Sequence, residues 1–319
     1  MSNITVKADR IHVGERFSFN FQRTLRLPDD GRTYPLPPGF GSFPVHSITE
    51  YADKVPPHWR EQGGFFVPLY QREALWLQFE AAWWKPNAVK VSVGKINAVS
   101  GEPWHEGLHA DPQDYIVCPD QPWLDGINIG EGVVRQFVAI PPGRGDTIEE
   151  QLTGTHEFGG IQLQVFEPKP GKFPDTPPPG GDVRFEAAFR GMPTELGVAA
   201  GGRMNQKIYP DERGVETWDQ VNPVEVFIHL VNSEQYEAIT GHPPPPSPVS
   251  PKLYTDMGLP WFALYDEHRG AVTASERLKT VKSIAQRDAS RGDEPDQNDE
   301  ELQIDPAQLI GLKPDTRDQ

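Results

Sequence analysis

Residues 17–22 read FSFNFQ, and this short stretch indicates most clearly what kind of fold the chain adopts. Phenylalanine and polar side chains alternate along it, and residues two apart point to the same face of a β-strand. A period of two therefore indicates a strand with one face against a core. Apolar residues fall at every second position again at 75–79, 89–93, 161–165 and 224–230. The sequence predicts a β-rich protein.

Proline and glycine divide the chain into short segments. They account for 34 and 30 of the 319 residues. Proline lacks the N–H that a sheet ladder or helix interior needs, and glycine readily adopts positive φ angles in turns. This composition argues against a helix bundle. The predicted fold class is α+β and predominantly antiparallel β, with sandwich-like sheets, few short helices and long Pro/Gly-rich loops.

Two capping boxes predict where helices begin. Thr147 with Glu150, and Thr273 with Glu276, each place a threonine three residues before a glutamate. In a capping box the two side chains satisfy N–H groups that the first helical turn leaves free. We expect a short helix after Thr147 and a longer one after Thr273.

The predicted domain organisation has three parts. A β-rich N-terminal domain covers 1–117, a second β-rich α+β domain covers 118–286, and an acidic, disordered tail covers 287–319. Proline-rich stretches occupy 168–181 and 243–248. The first is either a domain linker or a surface loop, because such a stretch cannot pair within a sheet, and the second is an extended spacer.

Two further segments carry predictions about order. Residues 183–190 have the composition of another strand. Residues 304–312 form an apolar island within the acidic tail, and we expect it to dock on the body of the protein, with partner binding as the alternative.

Charge and composition limit the partners and the location. Acidic residues outnumber basic ones by 46 to 30, which gives a net charge of −16. Nucleic acids and anionic membranes both attract clustered Lys and Arg, so neither is an expected partner. The N-terminus MSNITVKADR lacks the apolar stretch of a signal peptide, and the single cysteine, Cys118, excludes an internal disulfide. We expect a cytoplasmic protein, although export without a leader would leave no mark in the sequence.

The segment 104–114, WHEGLHADPQD, contains the strongest metal-binding pattern. His105, Glu106 and His109 form H-E-x-x-H, and Asp111 follows two residues later. Such histidines can bind zinc while the glutamate activates a bound water. Proline and glycine within and beside the motif oppose a helix. The motif therefore predicts, as the alternative function, a metal-dependent hydrolase whose loop site holds a divalent metal such as zinc through His105, His109 and Asp111, with Glu106 as the catalytic residue. Ordinary polar loop residues are the simpler interpretation.

Tryptophan is the second unusual feature, with eight residues in the chain. Trp59, Trp104 and Trp123 fall in predicted loops, where exposed rings could stack on a sugar or contact a protein. Aromatic residues also fill ordinary β cores. Because the common nucleotide-binding and nucleophile motifs are missing from the sequence, the preferred function is a non-catalytic binding or assembly protein. Its aromatic loops would bind a protein or carbohydrate partner, with a homo-oligomer as one form of assembly, and its cofactor is either none or unknown from the sequence.

Overall fold

The computed structural model describes residues 4–130, 132–176, 196–264 and 269–312. The strand predicted at 183–190 lies outside this part of the chain. The described residues form nineteen strands: β1 (Ile4–Lys7), β2 (Arg10–Val13), β3 (Phe17–Thr24), β4 (Thr33–Tyr34), β5 (Gly39–Ser42), β6 (His46–Ser47), β7 (Phe65–Leu69), β8 (Ala74–Ala81), β9 (Asn87–Val93), β10 (Ile96–Asn97), β11 (Ile116–Cys118), β12 (Trp123–Leu124), β13 (Gly126–Gly130), β14 (Val133–Ile140), β15 (Ile161–Phe166), β16 (Gly197–Asn205), β17 (Val224–Asn232), β18 (Trp261–Leu264) and β19 (Leu309–Leu312).

Six short α-helices accompany the strands: α1 (Pro57–Gln62), α2 (Ile148–Thr153), α3 (Ser233–Thr240), α4 (Pro251–Asp256), α5 (Glu276–Thr280) and α6 (Ile284–Arg291). Single 3₁₀ turns occur at Ile48–Tyr51, Val215–Thr217, Gln297–Asp299 and Pro306–Gln308. Among the described residues, no helix has the length and apolar character needed to cross a membrane.

Most strands belong to two large sheets. The first has the order β1-β2-β3-β8-β14-β16-β4, with β5 added on β3, β12 on β8 and β13 on β14. The second has the order β10-β9-β15-β17-β7-β6, with β11 added on β9. Pairing is antiparallel except for β4 with β16, β7 with β17, and the small separate sheet of β18 and β19. The predicted α+β class with sandwich-like, mostly antiparallel sheets is confirmed.

The apolar faces of the two sheets share one core. Phe17, Phe19 and Phe21 of β3 belong to the same buried cluster as alternate valines of β9 and alternate apolar residues of β15. Burying one such side chain stabilises the fold by roughly 1.5–3 kcal/mol. The alternation in the sequence therefore identified the core face correctly.

The polar face of β3 is buried as well, although the alternation predicted a half-buried strand. Asn20 and Gln22 are 5% and 8% exposed. Gln22 Nε2 donates to Asn20 Oδ1 at 3.1 Å and to Gln78 Oε1 at 3.3 Å. Because these amides bond to each other, the face can be covered without leaving them unpaired.

Both large sheets contain strands from either side of residue 117. Strand β8 pairs with β14 in the first sheet, and β9 pairs with β15 in the second. The sheets therefore cross the domain boundary predicted between residues 117 and 118, because the shared core needs apolar faces from both halves. In the described part of the proline-rich stretch at 168–181, Lys169 N donates to Thr217 O at 2.9 Å, so this part is attached to the body.

The acidic tail, predicted to be disordered over 287–319, makes defined contacts as far as residue 312. Arg26 pairs with Asp296 at 2.7 Å and with Asp299 at 2.6 Å, and its side chain is only 5% exposed. Strand β19 pairs with β18, so the apolar island at 304–312 docks on the body. The acidic, polar composition predicted disorder. In the structure, acidic residues of this stretch pair with basic residues elsewhere in the chain, such as Arg26.

The first capping box is confirmed, and the second is displaced. Thr147 and Glu150 cap α2 reciprocally. At the second position Ser275, rather than Thr273, accepts from Leu278 N at 3.2 Å. The single helix predicted there is two, because the backbone becomes extended at the end of α5 and α6 begins with its own capping box.

Candidate functional site

The H-E-x-x-H motif lies in an irregular loop between β10 and β11. Trp104 N donates to Lys95 O at 2.8 Å, and Leu108 N donates to Gln220 Oε1 at 2.8 Å, so both ends of the motif are fixed. Gly107 between them has φ +77°, a left-handed conformation that suits glycine. The motif therefore does not form the helix of a zinc protease, as its glycine and prolines indicated.

Asp114 is the point on which the histidine loop converges. Its Oδ2 lies 2.9 Å from His105 Nε2 and 3.9 Å from His109 Nδ1, and the two imidazole rings stack with centroids 4.1 Å apart. The carboxylate is held in place by His109 N, which donates to Oδ1 at 2.8 Å. Donor atoms of His105, His109 and Asp114 all lie within 4.8 Å of one another.

The carboxylate in this cluster is Asp114 and not the predicted Asp111. Asp111 is exposed and lies outside the one metal-compatible group found in the described part of the chain. Glu106 is also exposed, and its backbone oxygen, rather than its carboxylate, lies 2.9 Å from His105 Nδ1. The motif thus contributes two histidines, and strand β11 positions the acid, because Asp114 lies two residues before it.

Lys90 of β9 completes the cluster. Its Nζ lies 3.0 Å from Asp114 Oδ2 and 3.4 Å from His105 Nε2, and it also donates to the carbonyl of Gly107. Burial lowers the pKa of Lys90, and the charge of Asp114 opposes that shift. Sequence reasoning missed this lysine, whose only signal is a cation in the middle of the apolar strand VKVSV.

The three predicted ligand-binding tryptophans lie in three different environments. Trp59 is 2% exposed and stacks on His229 at 4.6 Å, so it belongs to the interior and cannot serve as an exposed loop ring. Trp104 is half-buried, with Lys95 Nζ 5.8 Å from its ring centroid. Trp123 is half-buried in β12 and lines a hollow on the first sheet.

Strand pairing brings a second tryptophan beside Trp123. Trp123 lies opposite Gln78 of β8, and Trp76 is two residues from Gln78 on the same strand. Because residues two apart share a face, Trp76 and Trp123 are diagonal neighbours on one face of the sheet, about 7–8 Å apart. Both side chains are partly exposed, whereas Leu75 and Leu77 point into the core.

The hollow beside these tryptophans has a volume of about 300 Å³. It is lined by Leu36, Pro37, Pro38, Gly39, Trp76, Trp123, Asp125 and Phe262. Leu36 and Phe262 exchange backbone hydrogen bonds of 2.8 and 3.0 Å, which hold the proline segment against β18. Trp104 is not one of the described residues that line this hollow.

Asp125 supplies an acidic group to the hollow. It is 4% exposed and accepts from Gln206 Nε2 at 2.7 Å. Burial raises the pKa of Asp125 to about 7, and a hydrogen bond with the Trp123 side chain acts in the opposite direction. The hollow therefore combines aromatic surfaces with a carboxyl group that can be protonated near neutral pH.

Sequence reasoning missed Trp76 and Asp125. Trp76 lies in a strand whose leucines form the core. Its alternation with those leucines, which it shares with Gln78, was the feature of the sequence that could have placed it on the opposite face. Asp125 follows Trp123 by two residues, but its burial depends on Gln206, which is distant in sequence.

Comparison with known proteins identifies no relative: no family model, no curated protein and no solved structure matches the chain.

Proposed function

We propose that the chain is a non-catalytic binding protein whose hollow between Trp76 and Trp123 takes a carbohydrate. The observation that carries this proposal is the pairing of the two tryptophans on one face of the sheet, beside a buried acid. A sugar ring has apolar C–H surfaces and polar hydroxyl edges. Indole rings suit the surfaces, and Asp125 suits a hydroxyl group.

The size of the hollow favours a small ligand over a protein. About 300 Å³ is at the lower end of the range for small-molecule sites. A standard protein interface covers about 800 Å² on each partner, far more than eight lining residues provide. A protein partner and self-association remain separate predictions, and light scattering coupled to gel filtration measures the second of these.

The hydrolase alternative has less support. It needs a base beside a metal-bound water, whereas Glu106 meets the histidines through its carbonyl oxygen, which lies 2.9 Å from His105 Nδ1. Lys90 also places a positive charge within 3.0 Å of the carboxylate that would bind the metal.

A glycan array with the full chain, followed by titration of the glycans it captures, tests the carbohydrate site. Trp123→Ala and Trp76→Ala are each expected to weaken binding at least about tenfold, which corresponds to roughly 1.4 kcal/mol. Trp83→Ala is the matched control, because Trp83 is 60% exposed and lies outside the hollow. Circular dichroism verifies that the variants fold. A chain that captures no glycan, or variants that bind as tightly as the wild type, would contradict the proposal.

A further inference from the structure

Both ring nitrogens of His105 lie beside oxygen atoms. Its Nδ1 lies 2.9 Å from the carbonyl oxygen of Glu106, and its Nε2 lies 2.9 Å from Asp114 Oδ2. Both partners are acceptors, whereas a neutral imidazole carries only one N–H. Whichever nitrogen bears the proton, the other needs a donor or a cation beside it. Lys90 Nζ lies 3.3 Å from Nδ1 and 3.4 Å from Nε2, and a metal ion could take the same role.

His109 favours a metal ion as a partner of this cluster. It stacks on His105, and its Nδ1 lies 3.9 Å from the same carboxylate oxygen. Lys90 already reaches both Asp114 and His105, so a third ligand atom beside them is unnecessary for the ammonium and is expected of a metal site.

The distances fit a small transition-metal ion. Bonds of about 2.0–2.2 Å in a tetrahedral zinc site place neighbouring ligand atoms about 3.4 Å apart. The two imidazole nitrogens lie 2.9 and 3.9 Å from Asp114 Oδ2, so shifts below about 1 Å would equalise them. Two imidazoles and one carboxylate suit Zn²⁺ and Co²⁺ better than Mg²⁺ or Ca²⁺, which prefer oxygen ligands.

From this geometry we infer that His105, His109 and Asp114 form a binding site for a divalent transition-metal ion. The side chain of Asp114 is 1% exposed, and that of His109 is 60% exposed. The buried carboxylate anchors the site, and the histidines leave one side open for the ion to enter and for water to complete its coordination. This site is independent of the carbohydrate hollow.

Lys90 is the internal competitor for this metal. Its ammonium lies 3.0 Å from Asp114 Oδ2, and it also has carbonyl acceptors in the loop, including Gly107. Those carbonyls can keep the lysine bonded while the carboxylate turns towards a metal. The competition predicts that removing the ammonium, as in Lys90→Met, strengthens metal binding.

The decisive experiment is a titration of the full chain with Zn²⁺ against a chromogenic chelator, with Co²⁺ absorption as a second readout. We expect one Zn²⁺ per chain, a tetrahedral Co²⁺ spectrum and no competition from Mg²⁺. His109→Ala should weaken Zn²⁺ binding at least tenfold, and a thermal melt checks that this variant, at an exposed position, folds as the wild type does.

Matched controls separate this ligand set from the one the motif predicted. Asp111→Ala and Glu106→Gln change exposed residues outside the cluster and should leave Zn²⁺ affinity unchanged. Trp123→Ala should also leave it unchanged, so that the metal site and the hollow can fail separately. The inference is overturned if the wild type takes up no stoichiometric metal, if His109→Ala binds as tightly as the wild type, or if Asp111→Ala abolishes binding.

Discussion

Asp125 shows how one buried residue can link the candidate ligand site to the stability of the fold. It is 4% exposed and bonded to Gln206, and burial raises its pKa to about 7. Burial also raises the pKa of Glu73 to about 7 and that of Asp29 to about 6. Unlike those two residues, Asp125 has no basic partner among the described groups that shift its pKa, so in the folded protein it retains a proton that the unfolded chain releases near pH 4.

The free energy of unfolding should therefore respond to pH through Asp125. Because the folded state binds more protons than the unfolded state between the two pKa values, the contribution of Asp125 to stability is complete below about pH 4. It declines as pH rises through about 7. Asp125→Asn removes this dependence, and we expect urea unfolding of the variant to show a smaller decline than the wild type between these pH values.

Asp111→Asn is the control for this measurement, because the residue is exposed. It should retain the wild-type dependence on pH. The decline in the free energy of unfolding that Asp125→Asn removes should be on the order of a few kcal/mol. If Asp125→Asn and the wild type decline in parallel, the carboxyl group is ionised throughout and its environment is more polar than its burial indicates.

At the residue scale, the sequence predicted part of each site and could not predict the rest. His105, His109 and Trp123 stand out because their spacing or composition is unusual. Asp114 and Trp76 join them only through tertiary contacts: the loop folds back onto Asp114, and β12 pairs with β8 beside Trp76. Spacing along the chain identifies chemically active residue types, whereas strand register decides which of them meet.

At the scale of elements, periodicity predicted strands well because a shared core requires it. The alternating stretches at 89–93, 161–165 and 224–230 lie in the adjacent strands β9, β15 and β17 of the second sheet. Local signals were less reliable at helix ends. The residue that caps a helix depends on which N–H groups remain free. Thr273 and Ser275 both carry a hydroxyl group near the start of α5, so the sequence alone does not decide which of them is the cap.

Helix α5 allows the cap assignment to be measured. Ser275 is buried and accepts from Leu278 N at 3.2 Å, whereas Thr273 is exposed. Ser275→Ala should lower the free energy of unfolding by about 1–2 kcal/mol, because it leaves the first helical turn without an acceptor. Thr273→Ala should lower it by less than about 0.5 kcal/mol. Equal losses in the two variants, measured by urea unfolding, would contradict the assignment.

At the scale of the whole molecule, the acidic tail as far as residue 312 is part of the fold and not an appendage. The buried Arg26 needs the carboxylates of Asp296 and Asp299, which are far from it in sequence. Asp29 N also donates to Asp299 Oδ1 at 3.2 Å. Composition could not reveal this arrangement, because an acidic, polar stretch looks the same whether its charges face water or a buried arginine.

The contribution of the tail follows from the cost of leaving a buried charge unpaired. Asp299→Ala removes two of the oxygens that accept from Arg26, and we expect it to lower the free energy of unfolding by on the order of 2–3 kcal/mol. Glu300→Ala is the matched control, since Glu300 and its partner Lys252 are 65% and 68% exposed and such a pair contributes less than about 1 kcal/mol. Urea unfolding monitored by tryptophan fluorescence measures both variants. If they are equally stable, the tail unfolds separately from the sheets; a selective loss in Asp299→Ala means that residues near the C-terminus and the first sheet unfold as one cooperative unit.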